Sequence, residues 1–377
     1  MLLALLTLLS ACCNTSAAYQ AVLGDPAATH RLLAVQTGPL ASDNSQAALG
    51  RMDSHPSRTR MFTPTNYSVV QNYFHQSFPG FDDPDFDPLE SSFGLIDDSP
   101  SRWEKFRAQI KSLNERDDAH TAYKVFFLAR HGQGFHNVAE QTYGKEAWDD
   151  YWSRQNGDGH IAWGPDALLT KTGERQAERN AKAWDREAEY GAPLPQRLYS
   201  SPLSRAMSTL EITWWDLLIN QGEVPIVKEN LREVFGVHTC DKRRSKSYIE
   251  RQFPSFDFEP GFRKHDELWT AEERESDPEV TARLRDVLDE LFELDPSTYI
   301  SITAHGGTIS AFLRACSHPN PRLHVETGSM VPVVVKAVNK YPKETTRSWA
   351  DGERIAAPRG AALTETTLTE QMRRVQV

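Results

Sequence analysis

The chain has 377 residues, a hydrophobic content of 39%, a net charge of −10 and an isoelectric point near 5.7. General nucleic-acid binding requires a basic face, so this composition argues against nucleic acid as a partner. An anionic small substrate would have to be attracted by a local cluster of positive charge. Doubly wound α/β domains can reach about 250 residues, so the length suits one large domain with extensions.

The first residues form an apolar segment. Leu2 to Ala11 has the length of the hydrophobic region of a signal peptide and is too short to span a bilayer. Small residues follow at positions 16–18, so we predict a signal peptide over residues 1–18, a secreted or secretory-pathway protein, and no other membrane insertion. No Lys or Arg precedes the segment. Two alternatives therefore stay open, a lipid-attachment sequence at residues 9–12 and the apolar N-terminus of a cytoplasmic protein.

Composition divides the rest of the chain into three parts. Residues 19–60 are rich in Ala, Ser, Pro and Gln without a sustained period, which predicts a poorly ordered leader. Residues 61–340 carry the core signals of one folded domain, and residues 341–377 form a polar tail. Two cysteines lie outside the signal segment, Cys240 and Cys316. We interpret them as buried free thiols, with a single disulfide as the alternative in a secreted protein.

Two distant segments share one pattern. An apolar run at residues 125–129, rich in β-branched and aromatic side chains, predicts a strand buried on both faces, and it stops at Arg130–Gly132. A second apolar run at residues 299–304 stops at His305–Gly307. Ligands of open α/β sheets bind at the carboxyl ends of the strands. The two segments therefore predict a single phosphate-binding site.

Helical and strand patterns alternate along the chain. We predict helices over residues 103–113, 136–143, 145–152, 174–190, 202–219, 277–293 and 308–316, and further strands over residues 197–199, 225–227 and 331–338. Ser201 fits the N-cap of the helix that begins at Pro202, and Gly191 fits the position after the long helix that favours a left-handed backbone. The alternation predicts an α/β fold with a parallel sheet covered on both faces.

Several side chains suit phosphoryl transfer, which needs positive charge, a nucleophile and an acid for the leaving oxygen. Arg130 can hold two phosphate oxygens, and His131 would present an imidazole to phosphorus. Arg205 adds a second guanidinium group at the amino end of a helix, which favours anions.

The second segment and a later strand supply the remaining groups. His305 precedes Gly306, whose missing side chain lets phosphate approach the backbone. Glu233 follows a predicted strand and is placed to protonate a leaving alkoxide.

The motifs resemble those of the histidine phosphatase (phosphoglycerate mutase-like) superfamily. The matching residues are Arg130–Gly132 with Asn137, Ser201–Leu203 with Arg205 and Ala206, and Ala304–Gly307. The sequence RHGQGFHN, followed by LTKTGERQA and LREVFGVHTCDKR, is most similar to the phosphomutase-like phosphatases common in fungi. The resemblance implies a three-layer α/β/α fold with a mostly parallel central sheet.

The resemblance also implies a mechanism. His131 would attack phosphorus and become phosphohistidine, while Glu233 would act first as general acid and then as general base. The residues it assigns to the phosphate are Arg130, Arg205, His305, Asn137 and Gly306. No metal or cofactor is implied.

Substrate contacts are predicted in two places. Gln133 and Gly134 directly follow the first motif and are expected to line the pocket. The basic run Lys242, Arg243 and Arg244 lies where members of the family use a substrate-contacting insertion. The alternative for this run is an ordinary solvated face.

The resemblance favours a phosphatase that hydrolyses small phosphorylated metabolites. Mutases of the family tend to carry Glu-Ser where this chain has Gln133 and Gly134. The acid-phosphatase and phytase branch is disfavoured, because Gly134 and His136 replace its Arg and Pro. The alternatives are a mutase that uses the same site and a non-catalytic protein that binds phosphorylated ligands.

Overall fold

A computed structural model describes residues 64–116 and 120–339. The predicted signal peptide, leader and tail (1–18, 19–60 and 341–377) lie outside the described residues. The described strands are β1 (Pro64–Val69), β2 (Thr121–Arg130), β3 (Arg197–Ser200), β4 (Ile226–Val227), β5 (Asp257–Phe258), β6 (Tyr299–Ala304) and β7 (Met330–Asn339). They form one sheet in the order β1-β7-β2-β6-β3-β4-β5.

The sheet is mostly parallel, as predicted. The five strands β2, β6, β3, β4 and β5 are parallel to one another. Strand β7 runs antiparallel to β2, and β1 runs antiparallel to β7. The strand β1 was not predicted from the sequence. It lies at the sheet edge and buries only Pro64 and Tyr67 of its six residues, so it shows no sustained hydrophobic pattern.

Helices cover both faces of the sheet. They are α1 (Arg102–Glu115), α2 (Phe135–Tyr143), α3 (Lys145–Asp150), α4 (Lys171–Glu189), α5 (Ser204–Trp214), α6 (Lys246–Gln252), α7 (Asp277–Leu294) and α8 (Gly306–Ala315). On β2, Phe126 and Leu128 pack with α7 and α8, while Val125 and Phe127 pack on the opposite face with α1, α4 and α5. Full burial of such a side chain contributes about 2 kcal/mol, so two cores stabilise a three-layer α/β/α fold.

The helix ends agree with the sequence in one case and differ in another. Gly191 follows α4 with φ +82°, the left-handed conformation predicted for it. The predicted N-cap at Ser201 is wrong, because α5 begins at Ser204. The Ser201 hydroxyl instead contacts Nε2 of His305 at 2.7 Å.

Two chemical features concern the cysteines and the membrane. Cys240 and Cys316 are buried free thiols, as predicted. Among residues 64–116 and 120–339, the helices all fall short of the length or apolar content needed to cross a bilayer.

Candidate active site

Three neighbouring parallel strands, β2, β6 and β3, end at the same edge of the sheet. The amide of His131, which follows β2, donates a hydrogen bond to the Ala304 carbonyl at 3.0 Å. The amide of Ser201, which follows β3, donates to the Thr303 carbonyl at 3.1 Å. The ring centroids of His131 and His305 consequently lie 4.9 Å apart. The two histidines, predicted from separate segments, share one site.

The hydrogen bonds of His131 determine which ring nitrogen is free to react. Arg205 Nε donates to His131 Nε2 at 3.3 Å, and His131 Nδ1 lies 2.7 Å from the Gly132 carbonyl. A guanidinium group can only donate, so Nε2 must carry the lone pair and Nδ1 the proton. Burial, together with the charges of Arg205 and Arg130, holds the pKa of His131 well below its usual value. The imidazole is therefore neutral and nucleophilic at Nε2.

Arg205 is held rigidly beside this nitrogen. Its Nη1 donates to the Cys240 carbonyl, and its Nη2 donates to Oδ1 of Asp241, both at 2.8 Å. The side chain is 1% exposed. A buried guanidinium group with one carboxylate partner still has unused N–H groups, so it can bind phosphate oxygens at a defined position.

Two buried donors complete the positive side of the site. Arg130 Nη1 donates to the Val325 carbonyl at 2.8 Å, but its Nε has no partner within the described protein. His305 uses Nε2 on Ser201, and its Nδ1 likewise has no partner there. Unpaired buried polar atoms are costly, so an oxyanion that accepts from both would be bound favourably. Burial lowers the pKa of Arg130, and the nearby Glu233 opposes that effect.

The Glu233 side chain contacts the first turn of α8, close to these donors. Its Oε2 accepts from the amide of Gly307 at 3.1 Å and its Oε1 from that of Val234 at 2.8 Å. A Cβ at position 307 would lie 2.3 Å from Oε1, so glycine is required for this approach. A Cβ at Gly306 would lie 3.6 Å from the Arg130 guanidinium carbon, which is ordinary contact.

These groups face a cavity of about 530 Å³. The sequence-predicted residues in its wall are Arg130, His131, Asn137, Arg205 and Glu233. Asn137 is the third residue of α2, and its Oδ1 accepts from the Gly134 amide at 2.9 Å, which orients the side chain. His305 and Gly306 lie next to these residues but are not part of the cavity wall. The arrangement brings a neutral nucleophile, two guanidinium groups and a carboxylate to one pocket.

The model of the histidine phosphatase superfamily (branch 1) matches residues 126–335. The chain belongs to this superfamily. The activity common to such a site is that of a phosphatase or a mutase.

Fungal proteins are similar over most of their length. A protein of Arthroderma benhamiae named probable phosphoglycerate mutase is 42% identical over 285 residues, which covers 72% of this chain and 84% of that protein. A probable phosphoglycerate mutase of Saccharomyces cerevisiae is 35% identical and covers 71% and 95%. Phosphomutase-like protein 3 of Candida albicans is 34% identical and covers 73% and 81%.

In this member of the superfamily, two of the residues predicted to line the pocket hold the framework instead. The Gln133 amide donates to Oε1 of Gln176 at 2.7 Å, and Gln133 Oε1 accepts from the Thr170 hydroxyl at 2.8 Å. Gly134 is the N-cap of α2. Neither residue lines the cavity, because both join the loop after His131 to α4 and α2.

The basic run Lys242, Arg243 and Arg244 also lies outside the cavity wall. Arg243 is buried and forms an ion pair with Glu229 at 2.8 Å. The aromatic partners of Lys242 and Arg244 are the rings of Trp269, at 4.4 Å from the cation, and Tyr248, at 5.1 Å. The prediction that this run contacts substrate has no geometric support, because each of the three cations contacts a neighbouring side chain of the same domain.

Several wall residues were missed in the sequence. No role is predicted for His136, yet its ring centroid lies 5.4 Å from that of His131. Burial and the Arg205 charge hold its pKa well below the usual value. Its position beside Asn137 at the start of a helix was the available signal. Further wall residues outside the quoted motifs are Glu140, Lys145, Trp148, Asp149, Arg154 and Arg274.

One cluster in the wall has the composition of a metal site. Ligand atoms of His238, Cys240 and Asp241 lie within 4.8 Å of one another. However, Asp241 already pairs with Arg205 at 2.8 Å and with Arg274 at 3.3 Å. Burial also raises the pKa of the Cys240 thiol well above its usual value. Two guanidinium groups neutralise the carboxylate and repel a cation, so the cluster does not fit a metal ion.

Proposed function

We propose that this histidine phosphatase is a phosphomonoesterase that hydrolyses small phosphorylated metabolites through a phosphohistidine at His131. The observation that carries the proposal is the pair of contacts made by the two ring nitrogens of His131. Its Nδ1 is paired with the Gly132 carbonyl, and Arg205 Nε faces its Nε2. A neutral imidazole with a lone pair beside a phosphate-binding guanidinium group is an activated nucleophile.

In the first step, the Nε2 lone pair of His131 attacks phosphorus, and the bond from phosphorus to the ester oxygen breaks. Protonated Glu233 gives its proton to the leaving oxygen, so a neutral alcohol departs. Arg130 and Arg205 stabilise the negative charge on the remaining phosphoryl oxygens. His305 Nδ1, which has no partner within the described protein, donates to one of these oxygens.

In the second step, the Glu233 carboxylate takes a proton from water while the water oxygen attacks phosphorus. The bond between nitrogen and phosphorus breaks, and its electron pair returns to Nε2 of His131. Inorganic phosphate leaves, and Glu233 is again protonated. Glu233 is partly exposed in the cavity wall, so water can reach the phosphohistidine beside it.

A mutase reaction at the same site is the second candidate, because two similar fungal proteins are named probable phosphoglycerate mutases. A mutase returns the phosphoryl group to a bound substrate and needs a bisphosphorylated primer to load the histidine. Phosphate release without a primer therefore separates the two reactions.

The test uses a chromogenic phosphate ester and the substitution His131→Ala. We expect wild-type protein to release phosphate without a primer and to form an acid-labile phosphoenzyme. His131→Ala should lose both, with kcat lower by at least about 10³-fold, because the covalent route is removed. An unchanged rate in His131→Ala would refute the nucleophile assignment, and primer-dependent turnover would support the mutase.

A further inference from the structure

The helix that carries Arg205 begins without a local cap. Its first residue is Ser204, and the preceding residue, Leu203, has no side-chain hydrogen bond to the first turn. The free amide of a helix start must be satisfied by another group. Here that group comes from a distant segment, because Oδ1 of Asp166 accepts from the Ser204 amide at 2.8 Å. Its Oδ2 accepts from the Ser204 hydroxyl at 2.6 Å.

Asp166 is itself fixed in place. Its side chain is 2% exposed, and its amide donates to the Thr239 carbonyl at 3.3 Å. Its φ is +61°, a conformation that Asp and Asn tolerate better than other residues with a side chain. Asp166 therefore joins the segment before α4 to the start of α5 and to the loop of Asp241, which holds the other end of Arg205.

We propose that Asp166 is a positioning residue for the phosphate site, because its carboxylate fixes the first turn of α5 and thereby the contact of Arg205 with His131. Asp166 is absent from the cavity wall, so it acts through Arg205 and not on the substrate. The proposal rests on the proposed function only in taking Arg205 as a ligand of the transferred phosphoryl group.

The charge of Asp166 changes near neutral pH. Burial raises its pKa to about 6, while the Ser204 hydrogen bonds and the charges of Arg205 and Arg244 lower it. These are the groups that face it from α5 and from the loop after Asp241. Above this pKa both carboxylate oxygens accept hydrogen bonds from Ser204. Below it one oxygen carries a proton, so the negative charge at the first turn of α5 is lost and the Ser204 hydroxyl must change from donor to acceptor.

The first test measures anion binding, so that it does not depend on turnover. Sulfate is a suitable probe, because it is tetrahedral and its charge does not change in this pH range. We expect wild-type protein to bind sulfate more weakly as the pH falls through about 6. Asp166→Asn keeps the backbone conformation but loses the carboxylate, so it should bind sulfate about tenfold more weakly above that pH and without this pH dependence.

The second test is the pH profile of hydrolysis. Wild-type kcat should fall on the acid side of about pH 6, and Asp166→Asn should have a lower kcat and lack that decrease. Ser204→Ala keeps the carboxylate but removes the hydroxyl that lowers its pKa, so the acid limb should move to higher pH. The two variants should therefore change the pH profile differently: Asp166→Asn removes the acid limb, and Ser204→Ala moves it to higher pH. A general loss of stability would not separate the variants in this way.

The matched control is Asp295→Asn. Asp295 is also a buried aspartate, which accepts from the Ser297 amide at 2.7 Å and from the Tyr199 hydroxyl at 2.8 Å. It precedes β6, at the edge of the sheet opposite His305. Asp295→Asn should leave the pH dependence of sulfate binding unchanged.

The outcomes separate the two proposals. If the wild-type protein binds sulfate with the expected pH dependence but hydrolyses no phosphate ester, the proposed function fails and the role of Asp166 stands. If Asp166→Asn keeps the wild-type sulfate affinity and pH dependence, the role of Asp166 is refuted. The same conclusion follows if Asp295→Asn changes both in the same way, or if wild-type protein binds no sulfate.

Discussion

Two carboxylates in the cavity wall, Glu233 and Glu140, have different surroundings. Both oxygens of Glu233 accept backbone hydrogen bonds, from Val234 and Gly307, which fix the carboxylate beside the nucleophile. Glu140 lies on α2, one turn after His136, and within the described residues no hydrogen bond fixes its carboxylate. A general acid needs a defined position relative to the leaving oxygen. In the proposed mechanism we therefore expect Glu233, and not Glu140, to transfer the proton.

This assignment predicts a difference between Glu233→Gln and Glu140→Gln. Glu233→Gln should lower kcat by about 10²- to 10⁴-fold for a poor leaving group and less for a nitrophenolate, which needs no proton. Phosphoenzyme should accumulate in this variant, because the base for the second step is also missing. Steady-state rates and quenched phosphoenzyme measure both effects. If Glu140→Gln shows this dependence on leaving group and Glu233→Gln does not, the roles are reversed.

At the scale of elements, the segment between β4 and α6 holds the site together through buried arginines. Arg232 pairs with Asp266 at 2.7 Å and with Glu229 at 3.0 Å, and Arg243 pairs with the same Glu229. Glu233 follows Arg232 directly, and this network therefore determines its position. Buried pairs of this kind are strongly destabilising when one partner is removed, because the other charge stays buried.

We therefore expect Arg243→Ala to act on stability rather than on substrate affinity. The free energy of unfolding should fall by about 3–5 kcal/mol, with a smaller effect on KM. Lys242→Ala is the matched control, since Lys242 is exposed and its ammonium group lies over the Trp269 ring, a contact that contributes about 0.5–1 kcal/mol. Urea unfolding and steady-state kinetics measure the two quantities. A raised KM with unchanged stability in Arg243→Ala would restore the predicted substrate contact.

At the scale of the whole molecule, the site places three neutral histidines in the interior. Burial and the Arg205 charge hold the pKa values of His131, His136 and His305 well below 6.5. The unfolded chain therefore binds more protons than the folded chain once the pH falls below about 6.5, so acid lowers stability. Asp166, whose pKa is raised, contributes in the opposite direction between 3.8 and about 6.

The comparison of two histidine variants isolates this effect. At about pH 5.5 each buried neutral histidine contributes at most about 1.4 kcal/mol of destabilisation relative to neutral pH. His136→Asn should remove one such contribution from the pH dependence of the unfolding free energy. His324→Asn is the control, because His324 is exposed. Equal changes in both variants would contradict the explanation.

The sequence alone determined most of the elements, though not β1, β5 or α6, and the residues that lie at the ends of β2 and β6. The apolar run of β2 predicts burial on both faces, because a strand covered on both sides has apolar residues at nearly every position and can be recognised from those few residues alone. The positions of His131 and His305 at one sheet edge follow from the shared direction of parallel strands. The motifs with Arg130, Arg205 and Glu233 required no further information.

Only the tertiary structure decided which other side chains reach the site. Asp166 caps a helix that begins 38 residues later, and the hydroxyl of Ser201 turns to His305 instead. Lys242, next to two buried ion pairs, lies outside the cavity, whereas Arg274 lines it without any motif. The physical reason is the distance along the chain. Periodicity and strand-end motifs involve residues that are near neighbours in the sequence. Caps, ion pairs and cavity walls depend instead on how distant segments pack.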